Sequence, residues 1–281
     1  MILQEQVAII RQGDPGFPAS MPFLLTCVED ASIPSSIEAD ASESQYNRFI
    51  RESSPATRGK QQLKATQKGA RSASPFVSVP ARRGVNAPVE FWAAGPPELL
   101  KGTKTGFFCS SQCPGALVLK TLDAITRMRD EGQVLIGGFH SVMEWECLGI
   151  LLRGRQPVIW VPARSIVGMH LKPELVPAFK AGRLLILSPF PPKYKRITAA
   201  LAEARNRMVG ALADRVFVPH AAPGSKTAAF CDSLLTAGKR LYTVNDPANE
   251  HLISLGAIPL EPNHCSTHEA GGSAADENAK A

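Results

Sequence analysis

Long apolar runs are missing from this 281-residue chain: no stretch approaches the roughly 20 consecutive apolar residues that a membrane span requires. That excludes a spanning helix and predicts no membrane partner. Cysteine is sparse. The six (Cys27, Cys109, Cys113, Cys147, Cys231, Cys265) are scattered over a chain too long to be a disulfide scaffold. Residues 1–11 lack the basic start and cleavage site of a secretory signal. Both absences predict reduced thiols and a cytoplasmic protein. Aromatic residues make up only 6%, so platforms on which bases could stack are few. Familiar catalytic signatures are also missing: no G-x-S-x-G, no H-E-x-x-H, no paired carboxylates, no P-loop and no G-x-G-x-x-G. Glu144 and Glu146 stand two apart on an expected helix and face different ways, and Glu144 has no partner legible in the sequence. A binding protein is therefore a better reading than an enzyme.

What is present is an ordinary globular composition, 44% apolar and 20% charged, enough for a buried core. The net charge is +6, which permits nucleic-acid binding without requiring it. The charge is uneven. Residues 29–43 are acidic and Ser-rich. Residues 48–84 carry Arg48, Arg51, Arg58, Lys60, Lys64, Lys68, Arg71, Arg82 and Arg83 against Glu52 alone. With few large apolar residues and no periodicity, this stretch reads as a flexible basic segment: a solvated linker or an electrostatic arm for a polyanion. The apolar runs 7–10 and 22–28 fit a small subdomain or an added strand. Residues 1–85 are thus an N-terminal extension, partly disordered.

From Pro88 the pattern changes. Short apolar runs at 89–93, 106–109, 134–136, 158–161, 184–187, 215–218 and 241–244 read as strands. Amphipathic runs at 116–129, 143–152, 173–180, 198–212 and 225–237 read as helices between them. Continuous apolar strands imply burial on both sheet faces. The expected fold is α/β: a doubly wound, mostly parallel Rossmann-like sheet with helices on both faces over residues 86–260. Residues 261–281 read as a disordered tail.

Ligands of such sheets bind beyond the carboxyl ends of the strands. Four strand ends carry small, hydroxyl or basic groups. The first is Cys109-Ser110-Ser111-Gln112-Cys113-Pro114-Gly115, ahead of a helix start. The second is Gly137-Gly138-Phe139-His140-Ser141, whose glycines allow close approach. Phe139 there is either a stacking surface or core. The third ends in Arg164, placed for a phosphate, and the fourth in Gly224-Ser225-Lys226. Singly each is an ordinary capped turn; together they favour a site for a nucleotide or a nucleic-acid backbone. Arg205, Asn206 and Arg207 point about 100° apart on a helix. Near a helix start they could reach that ligand and also brace loops. Cys109 and Cys113 have no second pair, and His264, Cys265 and His268 fall in the tail, so no zinc site or other cofactor is expected.

At these residues the chain resembles the DprA/Smf family of DNA-processing proteins, part of the Rossmann-like SLOG superfamily. The resemblance runs from about Pro88 to Leu260, roughly three fifths of the chain. Pro88-Val89-Glu90-Phe91-Trp92-Ala93-Ala94-Gly95 and Pro97-Glu98-Leu99-Leu100 resemble the family's lead-in, and Cys109-Ser110-Ser111-Gln112 takes the place of its GSR turn. Gly137-Gly138-Phe139-His140-Ser141-Val142-Met143-Glu144 sits at its SGxARGID-like motif, and Leu187-Ser188-Pro189-Phe190-Pro191-Pro192 resembles LSEFPP. Arg205-Asn206-Arg207 matches RNR, Gly224-Ser225-Lys226-Thr227 resembles SGSL/T, and Asn249 to Ala257 resembles NxLIxxGA. The resemblance implies single-stranded DNA binding at the strand-end pocket, loading of RecA in recombination and transformation, and a homodimer. Carried over residue by residue, the site would be Ser110, Ser111, Gln112, Gly137, Gly138, His140, Arg164, Arg205, Asn206, Arg207, Gly224, Ser225 and Lys226. Arg164, Arg205, Arg207 and Lys226 would meet phosphates. The GSR arginine is replaced here, and Arg-Gly-Ile-Asp becomes Ser141-Val142-Met143-Glu144. The family's winged-helix-like module has no counterpart in this sequence. These departures weaken DNA binding or turn the pocket toward another ligand. A nucleotide-binding sensor or phosphoribohydrolase-like protein on the same fold is the alternative. Pro223-Gly224-Ser225-Lys226-Thr227 echoes that group's PGGxGTxxE motif only distantly and lacks its glutamate. An interaction scaffold without ligand is a third reading.

Overall fold

The computed structural model describes residues 1–3, 6–11, 14 and 90–260, all within one compact unit. The expected basic segment 48–84, the acidic stretch 29–43, the run 22–28 and the tail 261–281 lie outside the described residues.

The described chain runs β1 (Val7–Arg11), β2 (Glu90–Ala94), a 3-10 turn (Pro97–Leu100), β3 (Lys104–Phe107), α1 (Gly115–Asp130), β4 (Val134–Gly137), α2 (Val142–Leu152) and β5 (Val158–Trp160). It continues through a 3-10 turn (Pro173–Leu175), α3 (Val176–Lys180), β6 (Leu184–Ser188), α4 (Ala199–Leu212), β7 (Arg215–Phe217) and α5 (Lys226–Thr236). It ends with β8 (Arg240–Val244), a 3-10 turn (Pro247–Asn249), α6 (Glu250–Ser254) and β9 (Ile258–Leu260). All seven expected strands are present. The open question over residues 7–10 resolves as an added strand, β1, which pairs antiparallel with β2 (Ile10 opposite Phe91). The short α6 and β9 carry too little apolar periodicity to be read from the sequence. The expected helix 173–180 divides into a 3-10 turn and a five-residue α3, because Pro177 lacks the amide that a continuous helix would bond to the Pro173 carbonyl.

The strands form one nine-stranded sheet ordered β1-β2-β6-β5-β4-β3-β7-β8-β9. β6 through β9 are all parallel; β2 runs antiparallel to β6. Burial explains the all-apolar strands. Leu184–Ser188 is buried at every position. Period-two alternation sends Leu184 and Ile186 to one face and Leu185 and Leu187 to the other. The first face packs against α1, α2 and α3 through Leu117, Ile125, Leu148 and Ala178; the second packs against α4, α5 and α6 through Met208, Val209, Leu234 and Leu252. Each fully buried Leu, Ile or Met of this kind contributes about 1.5–3 kcal/mol. No helix among the described residues is long and apolar enough to cross a membrane.

The chain builds outward from β3 through β4, β5 and β6, then returns to place β7 on the other side of β3. β3 and β7 therefore flank the point where strand order reverses, and a crevice opens beyond their carboxyl ends.

Candidate nucleic-acid interface

Five loops meet at the carboxyl edge of the sheet, and a buried ionic cluster under them holds three together. Ser141 caps α2: its Oγ accepts from the Glu144 amide at 3.2 Å, and the Glu144 carboxylate returns to the start of the helix. This is a capping box with a wider reach. Glu144 is buried. Its Oε1 accepts from the Cys109 amide in the β3–α1 loop at 3.0 Å, and its Oε2 accepts from the His140 amide at 2.9 Å. His140 Nδ1 lies 3.2 Å from the same Oε2. Burial pushes the Glu144 carboxyl up. The hydrogen bond from His140 and the positive charges of His140 and Arg205 outweigh that, so it is held below its ordinary value. It stays ionised, with its lone pairs committed to backbone donors. The partner that the sequence did not reveal for Glu144 is this set of amides, with His140 and Arg205.

Arg205 supplies the other charge. It lies in the middle of α4, not near its start, and its side chain is only 1% exposed. Nη1 donates to the Val161 carbonyl at the end of β5 at 3.1 Å, and Nη2 is 3.4 Å from His140 Nδ1. The expectation that Arg205 meets a phosphate is therefore corrected: it lies beneath the edge and braces the β4 and β5 loops. Gly138 is corrected with it. A Cβ at Gly138 would sit 1.3 Å from Arg205 Nη1, so the space its missing side chain leaves is taken by the guanidinium. Phe139 follows with φ +46, the one positive φ at a non-glycine among the described residues. Its ring is buried against Phe107 at 6.0 Å between centroids, so it is core and not a stacking surface. Burying that ring offsets the cost of the left-handed backbone.

The remaining expected residues divide. Ser111, Gln112 and His140 are exposed on the edge; Ser110 and Gly137 are buried below it. Ser225 caps α5 by accepting from the Ala228 amide. Gly224, at φ +70, turns the chain into that cap. Lys226 is exposed but paired with Glu203 at 2.8 Å. Asn206 and Arg207 are half-buried on α4. On the far side of the crevice, Asn249 Nδ2 donates to the Pro219 and Val244 carbonyls and its Oδ1 accepts from His220 Nδ1 at 2.8 Å. The Ser110 amide donates to the His220 carbonyl at 3.1 Å. These bonds fix β7, β8 and the β3–α1 loop together.

One part of the edge escaped the sequence reading. The β6–α4 loop carries Lys193, Tyr194, Lys195 and Arg196, and its three cations are exposed. None of them makes an ion pair with a described residue; Lys193 lies 5.0 Å over the Tyr194 ring. The loop is docked on the end of β5. The Ser165 amide donates to the Tyr194 carbonyl at 2.7 Å, and Ser188 Oγ donates to the Arg164 carbonyl at 2.8 Å. Arg164 is half-buried beside it, and its Nε has no partner. The available signal was three cations around one aromatic, just after a strand and two prolines.

Cys109 and Cys113 both lie in the β3–α1 loop. Interaction with Cys113 and burial push the Cys109 thiol up, while interaction with Cys109 pulls the half-buried Cys113 thiol down. Among the described residues no three His, Cys, Asp or Glu side chains converge as a metal would require. A cleft of about 330 Å³ between α2 and α3, lined in part by Trp145, Leu152 and Pro177, lies apart from these loops.

No protein-family model matches the chain, and no curated protein does. Several solved structures do. DNA processing protein A (DprA) from Streptococcus pneumoniae superposes with a TM-score of 0.51 at 19% identity, covering 61% of this chain and 62% of that one. DprA from Helicobacter pylori, described for its single-stranded DNA binding mode, gives a TM-score of 0.51 at 18% identity, covering 62% of this chain and 83% of that one. The chain thus spans less than two thirds of the pneumococcal protein. At such identities the likeness speaks to architecture, and the architecture is plain: this chain has a DprA-like, Rossmann-like α/β fold.

Proposed function

We propose that this protein binds single-stranded DNA along the carboxyl edge of its sheet and acts in DNA processing and recombination. The observation that carries the reading is the β6–α4 loop on this fold. Lys193, Lys195 and Arg196 are exposed around Tyr194 and docked beside Arg164. Cations spaced along a loop attract phosphates, and an aromatic ring among them accepts a base on its face, independent of sequence. The H. pylori neighbour, which has the same fold, binds single-stranded DNA. Ser111, Gln112 and His140 supply exposed polar groups from the adjoining loops. Loading of RecA, a role in transformation and a homodimer extend the proposal from the DprA/Smf resemblance. Glu144 supports a binding role over a catalytic one, since a carboxylate occupied by backbone amides is a poor proton acceptor.

The test is fluorescence anisotropy of labelled oligo-dT and of its duplex across a salt series. We expect preference for the single strand and affinity that falls steeply between about 50 and 200 mM salt. Replacing Lys193, Lys195 and Arg196 by Ala should weaken binding, and Tyr194→Ala should reduce the single-strand preference. No binding at low salt would overturn the proposal.

A further inference from the structure

We infer that the opposite, amino edge of the sheet is a second polyanion surface that takes the phosphate backbone of a nucleic acid. It is separate from the carboxyl edge and does not rest on the reading above. The connections entering the parallel strands are rich in Lys and Arg, and these cations fall into two groups.

The first group is used inside the fold. Helix ends leave carbonyls without intrahelical donors at this edge, and cations satisfy them. Lys104 Nζ donates to the Leu100 and Gly102 carbonyls. Arg183 donates to the Leu152 and Gln156 carbonyls, and Lys239 to the Ala211 and Ala213 carbonyls. Arg215 bonds Thr105 and Gln133. These four stitch the starts of neighbouring strands together.

The second group has no such use. Lys101, Arg153, Arg155, Lys180 and Arg240 are exposed, and none has a side-chain hydrogen bond or ion pair with a described residue. By topology they stand at the starts of β3, β5, β6 and β8. Of the nearby acids, Asp214 pairs with Lys104 at 3.2 Å and Asp130 with Arg129 at 2.8 Å, whereas Glu131, bonded to the neutral Gln133, and the exposed Glu98 and Glu174 keep their charge. Cations outnumber these acids, since Arg183, Arg215 and Lys239 also bond only neutral groups, and the surplus positive charge extends along the edge from β6 to β8, about 24 Å at the usual strand spacing.

That length exceeds a single phosphate or nucleotide and fits a polymer. Outside the cleft that Arg153 lines with Trp145, Leu148 and Leu152, the surface between the starts of β6 and β8 exposes no large apolar side chain among the described residues. A protein partner needs a buried apolar or aromatic anchor for affinity, whereas a polyphosphate backbone needs only spaced cations. Three of the five are arginines, whose forked donors match phosphate oxygens.

The test uses the full chain with R153Q/R155Q/R240Q, and independently K101Q/K180Q. Labelled oligo-dT and its duplex are the probes, and labelled poly-glutamate is the control. All five side chains are exposed and unbonded, so the melting temperature should hold. The slope of log affinity against log salt for the single strand should fall by about 2 in the triple variant and by about 1.4 in the double. The duplex should lose affinity as well. An unchanged slope in both variants overturns the inference. So does a loss confined to poly-glutamate, which would indicate an acidic protein instead. Alanine at Lys193, Lys195 and Arg196 separates the two edges. If that variant alone loses DNA, the carboxyl-edge reading stands and this one falls; if only the amino-edge variants lose it, the reverse holds.

Discussion

Glu144 and Arg205 provide the sharpest test of how the candidate site is held. Both lie against His140 Nδ1, the carboxylate at 3.2 Å and the guanidinium at 3.4 Å. Those two distances bound their separation at about 6.6 Å. At an effective dielectric of about 20, opposite unit charges that far apart attract by about 2.5 kcal/mol, and closer placement strengthens it. The perturbation is Glu144→Gln, which removes the charge with little change of shape. It leaves a buried cation without its counter-charge and weakens the acceptor for the Cys109 and His140 amides. Breaking a buried pair from one side costs about 3–5 kcal/mol. Arg205→Met should cost less, about 1–3 kcal/mol, because Glu144 retains its amide donors and Met fills part of the space over Gly138. The double variant should then be less destabilised than the two single losses combined, with a coupling of about 2–3 kcal/mol. Urea denaturation of the wild type and the three variants at neutral pH, followed by far-UV circular dichroism, measures this. Additivity within about 0.5 kcal/mol, or a loss below about 1 kcal/mol for E144Q, would refute the view that this ion cluster holds the loops.

Three further outcomes are expected. Glu144 has a folded-state pKa below the ordinary 4.5. Its contribution should be complete above that value and lost as pH falls through the depressed one, so acid titration of stability should be shallower in E144Q than in wild type. Gly138→Ala places a Cβ 1.3 Å from Arg205 Nη1 and should cost about 3 kcal/mol. Adding R205M should restore part of that melting temperature, and no restoration would mean that the clash lies elsewhere. Among the described cysteines, Cys113 should alkylate first in the native protein, because Cys109 lowers its thiol and it is half-buried. Cys231, pushed up to about 12 by burial, should react only on unfolding; mass spectrometry after brief iodoacetamide treatment reads the order, and early labelling of Cys231 would contradict it.

The sequence by itself determined the sheet and most of its helices, because their signals are local. Continuous runs such as Leu184 to Leu187 mark strands buried on both faces, and Ser225 and Thr198 mark helix starts by capping. It also pointed to the strand ends for a candidate site, since a parallel sheet directs every βα loop to one edge. Tertiary structure alone decided what the side chains do there. Arg205 looks like a solvated mid-helix cation, yet α4 packs across the β4 and β5 loops and drives its guanidinium into the space that Gly138 leaves. Glu144 has no sequence neighbour to announce that its carboxylate also holds Cys109, thirty-five residues away. The cations at the amino edge are separated by long intervals of chain and form one band only because parallel strands bring their starts side by side. Periodicity records which face a residue presents to its own element. Which distant groups meet it depends on how the elements pack, and that information is spread over the whole chain.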